Sequence, residues 1–340
     1  MERELSERAK QVLKLVIEEY VVTARPVGSG TLQERYNLPY SSATLRNEMA
    51  ELERRGLLTH LHTSGGRVPS EDGYRLFVEH LMDRLGLSPV DIRRVEHQFH
   101  QVEYNPVLER WVELAASVLA QLARNAALVT TPTAHDVLLK QIHLVHLTER
   151  QAFMVAVMDD GMVRQSVITL PHSAEQEELN SVAAALNAVF AGADAAELRR
   201  RAERLQGLAA DVAPQALNLL GENRPIGDVI SSGLINMLSQ PEFQRPESAR
   251  PIVAALEDGT LMAQIVNRLS DGPGAQVIIG SENPLEEMSN CSVVTTTYRT
   301  GRGGQGVLMV VGPTRMRYER TISSVLYLSQ LLSRMLDTGN

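Results

Sequence analysis

Cysteine is nearly missing from this chain: Cys291 is the only one in 340 residues. That excludes an intramolecular disulfide and any zinc site built from several thiolates, and its apolar neighbours point to a buried thiol. Long apolar runs are missing too. The longest, such as Ser181 to Phe190, fall well short of the roughly 20 residues that a membrane-spanning helix needs. The opening Met1-Glu2-Arg3-Glu4 is charged and lacks the apolar segment of a signal peptide, so the expectation is a cytoplasmic protein. There is no internal repeat, no phosphate-binding loop, no nucleophile elbow and no acid/base constellation; an enzyme is not expected. What is present, 44% hydrophobic and 22% charged residues, is the composition of an ordinary folded chain long enough for two or three domains.

The formal net charge of −8 argues at first against a nucleic-acid partner, since phosphate binding rests on Lys and Arg. The charge is unevenly spread, however. Residues 1–75 hold 11 basic and 11 acidic side chains, whereas 76–340 hold 22 and 30. A neutral first segment on an acidic remainder is compatible with DNA binding if its basic groups share a face.

Leu5, Ala9, Val12, Leu13, Val16 and Tyr20 recur with the spacing of a one-sided helix, started by Ser6. Arg25-Pro26-Val27-Gly28-Ser29 interrupts it, and Ser29 is a candidate cap for a short helix through Tyr36. Asn37-Leu38-Pro39-Tyr40 is a turn, because Pro39 disfavours the helical region at Leu38. Ser41 and Ser42 suit the start of a third helix, about Ala43 to Arg55, stopped at Gly56. Leu45, Met49 and Leu52 form its buried stripe. The opposite face carries Ala43, Asn47, Ala50 and Arg54, flanked by Arg46 and Thr44. Two helices joined by a tight turn, the second with small and hydrogen-bonding residues outward, make a helix-turn-helix pattern.

Leu57 to His62, a turn at Thr63-Ser64-Gly65-Gly66, and Arg67-Val68-Pro69 predict a two-stranded wing with Arg67 near its tip, for which a surface ion pair to Glu71 is the plain alternative role. A helix follows from Ser70 to about Leu85, with Gly86-Leu87-Ser88-Pro89 as a boundary. One helical stretch is expected from Val90 to about Ala126, containing the single Trp111. Strands are expected at 141–147, 152–158 and 163–169, with Asp160-Gly161 as a hairpin turn. Ala/Leu-rich helices cover 173–238. Strands at 277–279, 291–298 and 307–312 precede a closing amphipathic helix from Tyr318 to Leu336.

Two apparent motifs lack their context. Gly301-Arg302-Gly303-Gly304-Gln305-Gly306 satisfies the G-x-G-x-x-G pattern, but strand-like residues flank both sides where a dinucleotide site needs a strand and then a helix. The pairs His60/His62 and His143/His146 have no evident third or fourth ligand. No cofactor and no metal are expected.

The runs Pro26 to Leu32, Ser42 to Glu53 and His62 to Ser70 resemble the N-terminal region of the HrcA heat-inducible transcription repressors. Ile279-Gly280-Ser281-Glu282-Asn283, Cys291-Ser292-Val293-Val294 and Gly312-Pro313-Thr314-Arg315-Met316 are similar to the family's C-terminal signatures. The resemblance implies an α+β protein, an N-terminal winged helix-turn-helix followed by a GAF-like α/β domain with an inserted dimerisation domain. The expected parts are the winged helix at 1–75, a linker helix and the first GAF-like part at 76–140, the insertion at 141–224, and the remaining GAF-like part at 225–340. It also implies a homodimer that binds an inverted-repeat operator of chaperone genes and is modulated by the GroE chaperonin.

The candidate DNA-contacting residues are Ser29 and Thr31 on the second helix, Ser41, Ser42 and Thr44 at the start of the third, then Arg46, Asn47 and Arg54 along its outer face, and Arg67 on the wing. Asn47 offers the paired donor and acceptor that suit adenine; the arginines offer the fork that suits guanine or phosphate. One departure stands out. Gly30 occupies the position where the family usually has a basic residue. A ligand-responsive regulator, sensing a small molecule in the GAF-like part, is the alternative reading.

Overall fold

The computed structural model describes residues 5–60, 66–83, 86–102, 108–134, 139–158, 163–190, 195–221, 227–257, 262, 264–265, 274–300 and 304–338. It is a mixed α+β structure of two compact units, one drawn from 1–131, 228–299 and 306–340, the other from 132–227 and 300–305.

The first unit opens with α1 (Glu7–Thr23), capped by Ser6, whose Oγ accepts from Ala9 N–H at 3.1 Å. The predicted stripe Ala9, Val12, Leu13 and Val16 is buried, together with Ile17. After a left-handed Ala24, Val27 bridges to Arg67. Helices α2 (Ser29–Tyr36) and α3 (Ser42–Arg54) follow, separated by a left-handed Asn37. Leu32, Leu45, Met49 and Leu52 close their side of the core. Strands β1 (Leu58–His60) and β2 (Arg67–Pro69) pair antiparallel, and Val27 adds a third chain segment on the far side of Arg67. The predicted strand's end at Leu61-His62 and the turn Thr63-Ser64-Gly65 lie outside the described residues. Ser70 then caps α4 (Glu71–Leu76), which ends in a π-helical turn over Phe77–Leu81 rather than running to Leu85.

The helical stretch predicted over 90–126 contains α5 (Pro89–Val102) and α6 (Leu108–Ala123), with 103–107 outside the described residues. It stops short because Arg124 adopts a left-handed conformation and Ala126 already begins β3 (Ala126–Thr130). The main sheet is antiparallel, in the order β8 (Val229–Ser232), β3, β11 (Gly304–Pro313), β10 (Cys291–Arg299), β9 (Gln276–Ile279). Helix α6 packs against β3, and the closing α12 (Tyr318–Thr338) against β10 and α6. Tyr298, 1% exposed, donates from its hydroxyl to Thr130 O at 2.6 Å, tying β10 to β3 beneath β11. Cys291 is fully buried on β10, and desolvation pushes its thiol up to about 12, so it is inert at neutral pH. Strands do flank the G-x-G-x-x-G run on both sides, although 301–303 lie outside the described residues.

The expected boundary at residue 75 is no break in packing. The Tyr74 ring lies 5.8 Å from that of Tyr318. Arg75 donates to Glu282 (Nε–Oε1 2.9 Å) and to Val277 O (2.8 Å). The Glu71 carboxylate accepts from the amide and the hydroxyl of Ser281, at 3.1 and 2.5 Å. Gly280 permits this approach: it sits at φ +54, and a Cβ there would lie 2.0 Å from Glu71 Oε1.

The second unit enters the chain between β3 and β8. Thr131 N–H donates to Asp228 O (3.0 Å) and Asp228 N–H to Thr131 Oγ1 (2.9 Å), so departure and return meet at one hydrogen-bonded pair. The expected insertion was 141–224. The unit is wider because β4 (Thr133–Ala134) pairs with Gly304 and Gln305, a partnership across about 170 residues. Its core sheet is β5 (Leu139–Thr148), β6 (Gln151–Met158) and β7 (Val163–Thr169); the expected Asp160-Gly161 turn lies outside the described residues. Helices α7 (Gln176–Phe190), α8 (Ala195–Ala202) and α9 (Leu208–Gly221) cover one face. Both edge strands are occupied by side-chain amides: Asn187 clamps Ile142 N–H and C=O (2.6 and 2.8 Å), and Gln215 does the same at Thr169 (2.9 and 2.8 Å). Edges satisfied in this way do not recruit another strand.

Gly73 on α4 is a second enforced glycine, since a Cβ there would lie 2.2 Å from Leu57 O, a backbone atom with nowhere to go. Gly73→Ala is expected to cost about 1–3 kcal/mol through this overpacking, read as a fall in the thermal unfolding midpoint.

Candidate nucleic-acid interface

Helix α3 begins at Ser41, whose Oγ accepts from Thr44 N–H at 3.1 Å and lies 2.9 Å from the Thr44 hydroxyl. Ser42 is not a cap but the first helical residue, and its hydroxyl lies 3.0 Å from that of Ser29. Ser29 likewise does not cap α2: Gly28 holds that place without a side-chain bond, and Ser29, 8% exposed, faces inward to Ser42. The Ser29–Ser42 contact welds the starts of α2 and α3. It leaves exposed Thr31, exposed Ser41 and half-buried Thr44 as the hydroxyls near the surface there.

With Leu45, Met49 and Leu52 inward, the 100° turn per residue sends Ala43, Arg46 and Asn47 outward. All three are exposed, and among the described residues neither Arg46 nor Asn47 makes a hydrogen bond or ion pair. The acids of α3 are all engaged. Glu48 accepts from Arg8 (2.6 Å). Glu51 holds Arg54 and Arg55, and these two guanidiniums keep its carboxyl below the usual range. Glu53 holds His60 Nε2 (2.9 Å) and Arg67 Nε (3.0 Å). The negative charge of this helix is thus answered locally, and a donor-rich patch is left at its N-terminal half.

Arg67 is not at the tip of the hairpin. Its N–H and C=O pair with Val27 (2.9 and 2.8 Å), its Cα faces His60, and its side chain, 15% exposed, lies along Glu53. Its ion-pair partner is therefore Glu53 and not Glu71, the partner in the alternative reading, which is occupied by Ser281. The close backbone approach also explains Gly66, where a Cβ would come within 2.5 Å of the Val27 carbonyl. Arg54, 70% exposed along its side chain, retains free donors beside Glu51. The two histidine pairs gain nothing: His143 and His146 are exposed on β5, His62 lies outside the described residues, and no cluster of metal-ligating side chains occurs among the described residues.

A family model described as the HrcA protein C terminal domain matches residues 109–322. A heat-inducible transcription repressor HrcA of Roseiflexus sp. (strain RS-1) is 42% identical over 349 residues, covering 99% of this chain and 96% of that protein. The chain belongs to the HrcA family. The HrcA repressor of Thermomicrobium roseum is 38% identical over 339 residues, with 99% and 97% covered. A crystal structure of a hypothetical protein superposes with a TM-score of 0.62 at 22% identity over 99% of this chain and all of that one, showing a shared fold. As an HrcA heat-inducible transcription repressor the chain is not an enzyme, and no helix among the described residues is long and apolar enough to cross a membrane.

HrcA function places DNA in reach of some face of this chain, and the roles of Glu48, Glu51 and Glu53 were not legible in the motifs. Of their partners, Arg8 and His60 stand at no spacing in sequence that would single them out, whereas Arg54 and Arg55 follow Glu51 at the helical i+3 and i+4 spacings. Gly30, by contrast, is accounted for. It is exposed on the first turn of α2 and a Cβ there meets nothing within 4 Å, so a basic side chain fits without rearrangement. Gly30→Arg is expected to preserve folding and, where α2 abuts DNA, to steepen the salt dependence of binding by about one unit per chain. A salt titration of the variant beside the natural protein reads this directly.

Proposed function

We propose that residues 5–83 are a winged helix-turn-helix that binds an operator through the outward face of α3. The observation that carries this reading is that Arg46 and Asn47 stand exposed and unpartnered at the N-terminal half of α3, while Glu48, Glu51 and Glu53 are all tied to basic side chains. Asn47 is assigned to an adenine edge, Arg46 to guanine or a phosphate, and Thr31, Ser41, Thr44 and Arg54 to the backbone. Ser29 and Ser42 act by positioning, since their hydroxyls serve each other. Arg67 sets the angle of the wing through Glu53, with its remaining donors available to phosphate. The main sheet with α6 and α12 is the GAF-like part in this reading.

The operator is an inverted repeat because the repressor is a homodimer. Support for the dimer comes from the second unit. Its sheet presents a face away from the helices on which Val145, Phe153 and Val167 share one register line and Val157 and Val163 another. Val145, Val163 and Val167 are 47, 57 and 53% exposed, an apolar row that a second copy would cover. The genes are those of heat-shock chaperones, and GroE raises the fraction of active repressor, in keeping with a discontinuous domain that is slow to fold.

Asn47→Ala should cost about 1–3 kcal/mol per half-site on operator DNA and much less on a scrambled duplex, whereas Arg46→Ala should weaken both if it meets phosphate. Competitive binding across salt concentrations, with folding checked by circular dichroism, distinguishes them; wild-type binding by both variants would sink the assignment of α3. For the dimer, the full chain should sediment as a dimer at micromolar concentration and Val167→Glu as a monomer. A natural protein that is monomeric there removes the two-fold operator reading.

A further inference from the structure

A pocket of about 220 Å³ opens in the first unit where four pieces of chain meet: the last turn of α1, the end of α6, Gln240, and the loop from β11 into α12. Four of its twelve lining residues are arginine, Arg124, Arg315, Arg317 and Arg320, and no carboxylate lines it. Two of these are engaged. Arg315 donates to Glu242 (2.7 Å), Gln240 (3.0 Å) and Val21 O (2.7 Å). Arg320 donates to Leu122 O (2.7 Å), with Asp91 at 3.4 Å. Arg124 and Arg317 are exposed and, among the described residues, have neither a hydrogen bond nor an ion pair.

A backbone feature singles the pocket out. Arg124 sits at φ +53 just past the end of α6, a place that glycine, and next asparagine, occupies at lower cost than arginine. A strained arginine facing a pocket is the kind of outlier that accompanies a ligand site.

We propose that this pocket binds a small phosphoryl anion, either free phosphate or the terminal phosphate of a small metabolite. The guanidinium forks of Arg124 and Arg317 match phosphate oxygens, and Arg320 adds positive charge. The volume is below the roughly 300 Å³ at which sites for drug-sized ligands begin, which fits a phosphate or a short phosphomonoester and excludes a dinucleotide. Because Arg315 in the same wall holds Val21 of α1, the occupant sits at the junction between the N-terminal helices and the main sheet. The site stands independently of the operator assignment of α3.

Isothermal titration of the full chain at fixed ionic strength with inorganic phosphate and with glycerol 3-phosphate tests it. Saturable binding of one anion per chain is expected, and whichever of the two binds more tightly identifies the source. Arg317→Gln should weaken binding at least tenfold, and Arg250→Gln, an exposed arginine on a different helix (Pro246–Glu257), should leave it unchanged. Arg124→Gly serves as a second variant that relieves the backbone. If Arg124 only shapes the chain, the glycine raises the unfolding temperature and leaves binding intact, which overturns its role; a more stable protein with weaker binding supports it. Heats that track ionic strength without saturating, or saturable binding unchanged in Arg317→Gln, overturn the proposal.

Discussion

Arg315 is 9% exposed, and the arrangement of the first unit turns on how its charge is satisfied. A buried cation is tolerable only when it is paired and its remaining donors are filled. Glu242 takes two of its nitrogens, Gln240 shares one, and the last donates to Val21 O near the end of α1. One side chain therefore joins three distant stretches of sequence: the N-terminal helix, the segment after β8, and the turn into α12. Removing either partner of the pair would strand a charge in the interior, so the three stretches hold or fail together.

A second clasp acts on the other side of the N-terminal segment. Glu71 and Arg75 on α4 engage Ser281 and Glu282, and Tyr74 between them packs on Tyr318. Desolvation raises Tyr318 strongly, and its hydroxyl is used structurally, 2.6 Å from Ser292 and donating to Thr314 O. Since α1 is held at Val21 and α4 along its length, α3, which packs on α1, has its direction set by the main sheet. The outward face of α3 belongs mechanically to the whole first unit.

Much of this was legible in sequence, for local reasons. The stripe Ala9 to Val16, the cap at Ser6 and the stripe Leu45-Met49-Leu52 follow from periodicity and capping chemistry, which depend on neighbours three and four residues away. The misreadings share the opposite property. Ser29 satisfies every local rule for a cap, yet Gly28 takes that position because the Ser29 hydroxyl finds Ser42 thirteen residues on. Arg67 has Glu71 four residues later, yet the hairpin turns it toward Glu53 and Ser281 removes Glu71. The insertion begins earlier than expected because two residues of β4 pair with 304–305, which no window of sequence contains. Helix α6 ends where Arg124 turns left-handed, against the preference of its residue type.

The charge balance bears on how such a face discriminates. Residues 1–75 are electrically neutral, and α3 reaches neutrality by pairing its three acids with bases drawn from α1, its own C-terminal end and the hairpin. At physiological salt the Debye length is about 8 Å, so the acidic remainder of the chain is largely screened from a duplex lying on α3. Few unpaired cations then remain to hold arbitrary DNA, and Gly30 adds none. On the proposed reading, low non-specific affinity is the consequence, because that term scales with the number of phosphates neutralised. The ratio of operator to random binding then rests on Asn47 and Arg46 at the bases and on two copies acting together. A repressor built in this way loses its grip steeply when either α3 is tilted, since little electrostatic attraction remains to retain it on the duplex.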